Sequence, residues 1–127
     1  MDLVGLGTQI LDCVRVRKLI DAHGENFLLS VYTAAEIDFC KERTHSTEYY
    51  AAVWAAKEAV FRALGTKWRR GVAWHDVEIV CTSTIEPTAT VSGPTQALMA
   101  SRGVTGLRVS FAYTRMYATA TAIAVRG

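Results

Sequence analysis

Glu58 and Arg62 are the side chains in this 127-residue sequence whose types and spacing best suit catalysis. They lie in an alanine-rich stretch from Trp54 to Gly65, and residues four apart share one face of a helix. A carboxylate in an apolar helix is costly to bury unless it is paired or binds a metal ion. Two interpretations are therefore open: an ion pair along the helix, or a magnesium ligand with a phosphate-binding cation beside it.

The helix that holds this pair is predicted to begin at Ser46 or Thr47 and to end at Gly65. A Ser or Thr oxygen can cap the first turn, where Glu48 complements the positive end of the helix dipole. Glycine is favoured just after a helix because it adopts the left-handed conformation without strain. Six alanines leave the backbone open to close approach by a neighbour: Ala51, Ala52, Ala55, Ala56, Ala59 and Ala63.

The first strand is predicted to be that neighbour. Residues 3 to 11 are typical of a buried strand, in which successive side chains point to opposite faces. Gly5, Gly7 and Gln9 share one face, and two glycines on a face indicate that another backbone comes close. Packing of this face on the alanine-rich helix would bring Gln9 near Glu58.

The remaining pattern predicts a single small α+β domain over residues 1–127, with an antiparallel sheet packed on the long alanine-rich helix. A capping box at Thr33-Ala34-Ala35-Glu36 marks the start of one of its helices. The predicted elements are helices over 14–22, 34–42 and about 93–102, and strand pairs over 77–81 with 87–91 and 107–112 with 117–125.

Composition limits the classes of function. A net charge of +2 is too small to indicate a nucleic-acid partner, and no apolar run reaches the roughly 20 residues that span a bilayer. The three cysteines lack C-x-x-C spacing, which argues against a disulfide framework or a zinc site. The acidic start has no basic signal region. We therefore expect a cytoplasmic protein with reduced thiols.

Three segments resemble the 4′-phosphopantetheinyl transferase family, and the length resembles its small holo-acyl-carrier-protein synthase branch. Residues 54–59, Trp-Ala-Ala-Lys-Glu-Ala, with Arg62, resemble the signature W-x-x-K-E-[AS]-x-x-K. Residues 5–12, Gly-Leu-Gly-Thr-Gln-Ile-Leu-Asp, resemble the family's G-x-G-x-D-[IL]-V-E strand. Residues 109–120 resemble its final hairpin. The similarity spans nearly the whole chain in the same order.

The resemblance implies transfer of 4′-phosphopantetheine from coenzyme A to a serine of acyl carrier protein, with Mg²⁺, in fatty acid biosynthesis. It also implies a homotrimer with coenzyme A in clefts between subunits. The implied metal ligands are Glu58 and Gln9, which with Arg62 form the catalytic set. The implied coenzyme A-binding residues are Lys57, Arg62, Gly65, Thr66 and Lys67. The implied contacts to the acidic carrier are Arg15, Arg17 and Lys18, although a solvated basic face is the alternative for these three.

The sequence departs from the family pattern at three positions. Gln9 stands where the family has an aspartate ligand, Val53 where an arginine is frequent, and Tyr113 where many members have histidine. Asp12, three residues beyond Gln9, is expected on the opposite face of the strand. An amide oxygen can bind a cation but brings no charge. Two hypotheses follow: an active transferase, or an impaired relative that binds coenzyme A or a carrier protein without turnover.

Overall fold

The computed structural model describes residues 1–66, 73–82 and 86–127. Its elements in chain order are β1 (Asp2–Asp12), α1 (Cys13–His23), α2 (Glu25–Val31), α3 (Ala34–Lys41), α4 (Ser46–Ala63), a 3-10 turn (Trp74–Asp76), β2 (Val77–Val80), β3 (Thr88–Val91), α5 (Gly93–Ser101), β4 (Gly106–Tyr113) and β5 (Tyr117–Arg126). The predicted α+β class is confirmed.

The main sheet is antiparallel, with the order β1-β5-β4, and β2 and β3 form a separate antiparallel pair. α4 packs across the inner face of the main sheet. That face of β5 is made of four buried alanines, which let the helix approach closely: Ala118, Ala120, Ala122 and Ala124. The predicted contact between an alanine-rich helix and a small-residue sheet is confirmed.

α4 is nearly the predicted helix. It begins at Ser46, but the residue before it, His45, occupies the N-cap position and makes no side-chain capping bond. The C-terminal end is as predicted, because Gly65 has a φ of 79°. Its N–H donates to the Arg62 carbonyl at 2.9 Å, and the Thr66 N–H donates to the Phe61 carbonyl at 3.0 Å. These two bonds form a Schellman motif, which ends the helix.

β1 is an edge strand, and the prediction that it is buried is wrong for one of its faces. The side chains of Leu6 and Ile10 are 59% and 60% exposed, and Val4 is also exposed. The reason is that α4 covers only the face that contains Gly5 and Gly7. One chain therefore presents an apolar strip to its surroundings.

The other helices follow their predicted signals, except one. α1 begins after Asp12, whose carboxylate accepts from the N–H groups of Val14 and Arg15. α3 has the predicted capping box between Thr33 and Glu36. α2 was not predicted; it buries residues four apart, Phe27 and Val31, against the core. None of the helices in the described part of the chain is long and apolar enough to span a bilayer.

Candidate active site

The contact between β1 and α4 brings the predicted metal ligands into one cleft. A Cβ atom on Gly5 would overlap the Ala63 carbonyl oxygen, and one on Gly7 would overlap that of Ala59. Only glycine allows this approach. As a result Gln9 and Glu58, which are 49 positions apart in the sequence, line the same cleft of about 560 Å³.

Glu58 lies at the centre of a ridge of side chains on α4. Trp54, Glu58 and Arg62 follow one another at intervals of four residues, so they lie on successive turns. The Glu58 carboxylate is 3.5 Å from the Arg62 guanidinium, and their side chains are 27% and 46% exposed. The ion-pair interpretation is thus observed, and both groups remain accessible to a ligand.

The donor set fits a hard divalent cation such as Mg²⁺. Glu58 offers a carboxylate on this cleft and Gln9 an amide oxygen, which also accepts from the Ile10 N–H at 3.0 Å. Within the described ranges there is no cluster of three or more His, Cys, Asp or Glu side chains able to hold a metal ion. Magnesium normally uses one or two carboxylates and completes its shell with water and substrate phosphates, so two protein oxygens are sufficient.

Asp12 also borders this cleft, as does Ile10 from the exposed face of β1, so the position of Asp12 on the opposite face from Gln9 stays a prediction. β1 ends at Asp12 and the chain turns there into α1. Its Oδ1 accepts from the Val14 N–H at 2.8 Å and the Arg15 N–H at 3.3 Å. This oxygen caps α1, and Gln9 remains the residue of β1 that is placed to complement Glu58.

Lys57 does not reach the cleft, and the prediction that it contacts coenzyme A directly is wrong. Its Nζ donates to Glu36 Oε1 at 2.6 Å, and both side chains are fully buried. The other oxygen of Glu36 accepts from the Ile79 N–H at 2.7 Å. Burial lowers the pKa of Lys57, and the Glu36 carboxylate opposes that shift. Lys57 therefore joins α4 to α3 and β2.

The predicted coenzyme A-binding segment after α4 is described only at its start. Gly65 is exposed and Thr66 is half-buried, one turn beyond Arg62. Lys67 lies outside the described residues. A further cation lies here that the sequence did not indicate, since the Arg102 guanidinium packs against Gly65. This contact joins residues 37 positions apart, for which the sequence offers no local signal.

The three basic residues of α1 are exposed, and one of them lines the cleft. Arg15 lines the cleft itself, and Arg17 lines a neighbouring pocket of about 430 Å³ with His45 and Arg115. Lys18 is exposed on the same helix. The start of α1 thus presents a basic surface at the mouth of the cleft.

An aromatic cluster forms one wall of the cleft, and sequence reasoning missed it. The Trp54 ring meets Trp74 edge to face, with centroids 6.0 Å apart, and meets Phe27 at 5.4 Å. Trp74 lies on the 3-10 turn, where no periodic pattern indicates burial.

Val53 is buried in the core, and Tyr113 packs on Tyr49 with centroids 5.0 Å apart.

Comparison with known proteins defines the class to which this fold and site belong. Residues 5–122 match the family described as the 4′-phosphopantetheinyl transferase superfamily. The chain belongs to this superfamily.

Individual relatives within that class match over nearly their whole length. The holo-[acyl-carrier-protein] synthase of Rhodopirellula baltica is 40% identical over 120 residues, covering 94% of this chain and 95% of the relative. That of Desulforudis audaxviator is 39% identical, covering 97% and 93%.

Solved structures show the same fold. The holo-[acyl-carrier-protein] synthase of Neisseria meningitidis superposes with a TM-score of 0.87 at 22% identity, covering 98% of this chain and all of that one. The Helicobacter pylori enzyme, solved in complex with coenzyme A, gives 0.82 at 22% identity, covering 94% and 99%.

Proposed function

We propose that this protein transfers 4′-phosphopantetheine from coenzyme A to a serine of an acyl carrier protein. The observation that carries the proposal is the shared cleft of Glu58 and Gln9, formed because Gly5 and Gly7 let β1 meet α4. Relatives of nearly equal length are named holo-[acyl-carrier-protein] synthases, and one neighbour in fold was solved with coenzyme A. Both support coenzyme A as the donor.

In this reaction the serine hydroxyl gives its proton to a water molecule as its oxygen attacks the phosphorus that bears the pantetheine. The bond from that phosphorus to the bridging oxygen breaks, and adenosine 3′,5′-bisphosphate leaves. Glu58 and Gln9 would hold Mg²⁺, which when bound would supply positive charge to offset the negative charge of the phosphates. Arg62 exchanges its 3.5 Å contact with Glu58 for a phosphate oxygen, because a guanidinium binds phosphate well.

The carrier protein docks on α1 in this proposal. Arg15, Arg17 and Lys18 are exposed on α1 and Arg15 lines the cleft, so an acidic partner bound to this helix would bring its serine toward Glu58. Opposite charges also speed the encounter of the two proteins. Neutralising Arg17 and Lys18, which do not line the cleft, should raise the KM for the carrier and leave the affinity for coenzyme A unchanged.

The proposal includes a cytoplasmic homotrimer. The exposed strip of β1, which contains Val4, Leu6 and Ile10, supports association of subunits, since burying large apolar side chains is favourable. Gly65, Thr66 and Lys67 are proposed to contact coenzyme A at the end of α4, with Arg102 as an additional cation. Sedimentation at several protein concentrations measures the state of association.

The direct test of function is the mass of a carrier protein. Purified protein, coenzyme A and an apo acyl carrier protein from the same genome are incubated with Mg²⁺ or with EDTA. We expect the carrier to gain the mass of 4′-phosphopantetheine only with Mg²⁺. A carrier whose serine is replaced by alanine is the control. An unchanged mass across a panel of carriers, beside a working control enzyme, rejects the proposal.

A second candidate is an impaired relative that binds coenzyme A or a carrier without turnover. Gln9 favours it, because an uncharged ligand holds a divalent cation more weakly than a carboxylate. It predicts coenzyme A binding that does not respond to Mg²⁺, whereas the transferase predicts tighter binding with Mg²⁺. Calorimetric titration of coenzyme A with and without the cation distinguishes the two.

A further inference from the structure

The indole N–H of Trp54 is a buried donor without an acceptor. In the part of the chain that the structure describes, Trp54 Nε1 is the buried side-chain polar atom for which no hydrogen-bond partner exists. Indole nitrogen only donates, and buried donors in native proteins nearly always meet a protein, water or ligand oxygen. A missing acceptor therefore marks a place where an atom from outside the described residues is expected.

The surroundings of Trp54 restrict where that atom can come from. Its ring is held between Phe27 and Trp74, with T-shaped contacts at 5.4 and 6.0 Å between centroids. Neither ring supplies an acceptor oxygen. Trp54 also borders the cleft that contains Gln9 and Glu58. The cleft is thus the direction from which an acceptor can arrive.

The order of residues along α4 indicates which part of a ligand supplies the acceptor oxygen. Arg62 and Glu58, on successive turns, face the pyrophosphate in the proposed function, and Trp54 is one further turn away from Arg62. A helical turn advances about 5.4 Å, so Trp54 meets a group beyond the pyrophosphate. Trp74, whose ring packs on Trp54, and Val16 also line the cleft and are apolar, which suits a neutral oxygen.

We propose that Trp54 is a substrate-binding residue whose indole N–H donates a hydrogen bond to a neutral oxygen of the pantetheine arm of coenzyme A. The amide carbonyls and the hydroxyl of that arm are neutral acceptors linked to the pyrophosphate. The inference rests on the proposed function, because it takes coenzyme A as the ligand of this cleft. It adds the residue that positions the transferred arm.

Nuclear magnetic resonance of the unaltered protein tests this hydrogen bond. The three tryptophans give separate indole N–H signals, and the Trp54 signal is identified by its loss in Trp54→Phe. If that variant fails to fold, Trp68→Phe and Trp74→Phe identify it by exclusion. We expect coenzyme A and 4′-phosphopantetheine to move the Trp54 proton downfield and slow its exchange, and adenosine 3′,5′-bisphosphate to do neither.

Affinity measurements give a second readout. Trp54→Phe keeps an aromatic ring and removes the N–H, so we expect an affinity for coenzyme A about tenfold weaker, the loss of one hydrogen bond. The affinity for adenosine 3′,5′-bisphosphate should stay the same, which controls for a general change in the cleft.

The outcomes separate the two proposals. If coenzyme A binds calorimetrically but leaves the Trp54 signal unmoved, the hydrogen bond is rejected and the proposed function stands. A shift produced by adenosine 3′,5′-bisphosphate alone also rejects the assignment to the pantetheine arm. If coenzyme A does not bind at all, the proposed function fails as well.

Discussion

Lys57 and Glu58 are adjacent in the sequence, yet the structure gives them opposite environments. Lys57 turns inward and pairs with Glu36 at 2.6 Å, with both side chains fully buried. Glu58 turns toward the cleft and pairs with Arg62 at 3.5 Å, with both side chains partly exposed. Consecutive residues of a helix differ in direction by about 100°, so one can join the core while the next faces solvent.

The lysine and the glutamate of the Lys-Glu signature therefore have different roles. The buried pair is bonded on several sides, since Glu36 also accepts from the N–H groups of Thr33 and Ile79. The exposed pair is a single contact along the helix, worth a few tenths of a kcal/mol. The first pair holds α4 in place, whereas the second is exposed enough to be exchanged for a metal ion and phosphate, as the proposed function requires.

Glu58→Gln should give the largest effect on activity. The variant keeps the shape and removes the charge, so we expect transfer to the carrier to fall about 1000-fold, with unfolding free energy changed by less than about 0.5 kcal/mol. Turnover of the carrier and urea unfolding measure the two quantities. A variant that retains near-normal turnover would show that Glu58 is not a metal ligand.

Lys57→Met should mainly lower the stability of the fold, whereas Glu58→Gln mainly lowers activity. Loss of the ammonium leaves Glu36 buried without its partner, which costs about 3–5 kcal/mol. Neutralising both residues, in Lys57→Met with Glu36→Gln, should restore much of the loss. Lys41→Met is the matched control, because Lys41 pairs with Asp38 on the surface, where both side chains are more than half exposed. Equal losses in the two lysine variants would contradict the comparison.

Gln9→Asp should strengthen cation binding in the cleft that contains Glu58. A second carboxylate beside Glu58 should lower the Mg²⁺ concentration for half-maximal turnover by roughly tenfold. Gln9→Asn is the control, since it has the length of aspartate without the charge. If Asp and Asn variants respond equally to Mg²⁺, Gln9 does not contribute to the metal site.

Raising the pH should lower the free energy of unfolding by a smaller amount, through the Cys81 thiol near the buried Glu36. Burial, aided by the Glu36 charge, raises the pKa of the Cys81 thiol from 9.0 to about 11. Between these values the unfolded chain releases a proton that the folded chain keeps, so stability present below pH 9 is lost as the pH approaches 11.

Allowing for partial exposure, we expect about 1 kcal/mol from this thiol. The measurement is the unfolding free energy of the protein and of Cys81→Ala at pH 8 and pH 10.5. The loss of stability between the two pH values should be smaller in the variant. An identical loss in both proteins would place the alkaline sensitivity elsewhere.

Local signals in the sequence determined much of the fold. The capping box at Thr33 fixed the start of α3, and Gly65 fixed the end of α4, because hydrogen bonds between near neighbours decide both. The alternation of Gly5, Gly7 and Gln9 against an alanine-rich helix also sufficed to predict the approach of β1 to Glu58. In that case the small residues that allow the close approach, glycines in β1 and alanines in α4, are visible in the sequence of each element.

Only the tertiary structure decided which charges are buried and what surrounds the cleft. Lys57 is removed from solvent by Glu36, 21 residues away, and by the β2 strand that contains Ile79. Trp54 packs between Phe27 and Trp74, and its buried N–H has no acceptor among the described residues. Burial is a property of elements brought together from distant parts of the chain, so a local pattern can propose a charged residue as a ligand but cannot say which way it faces.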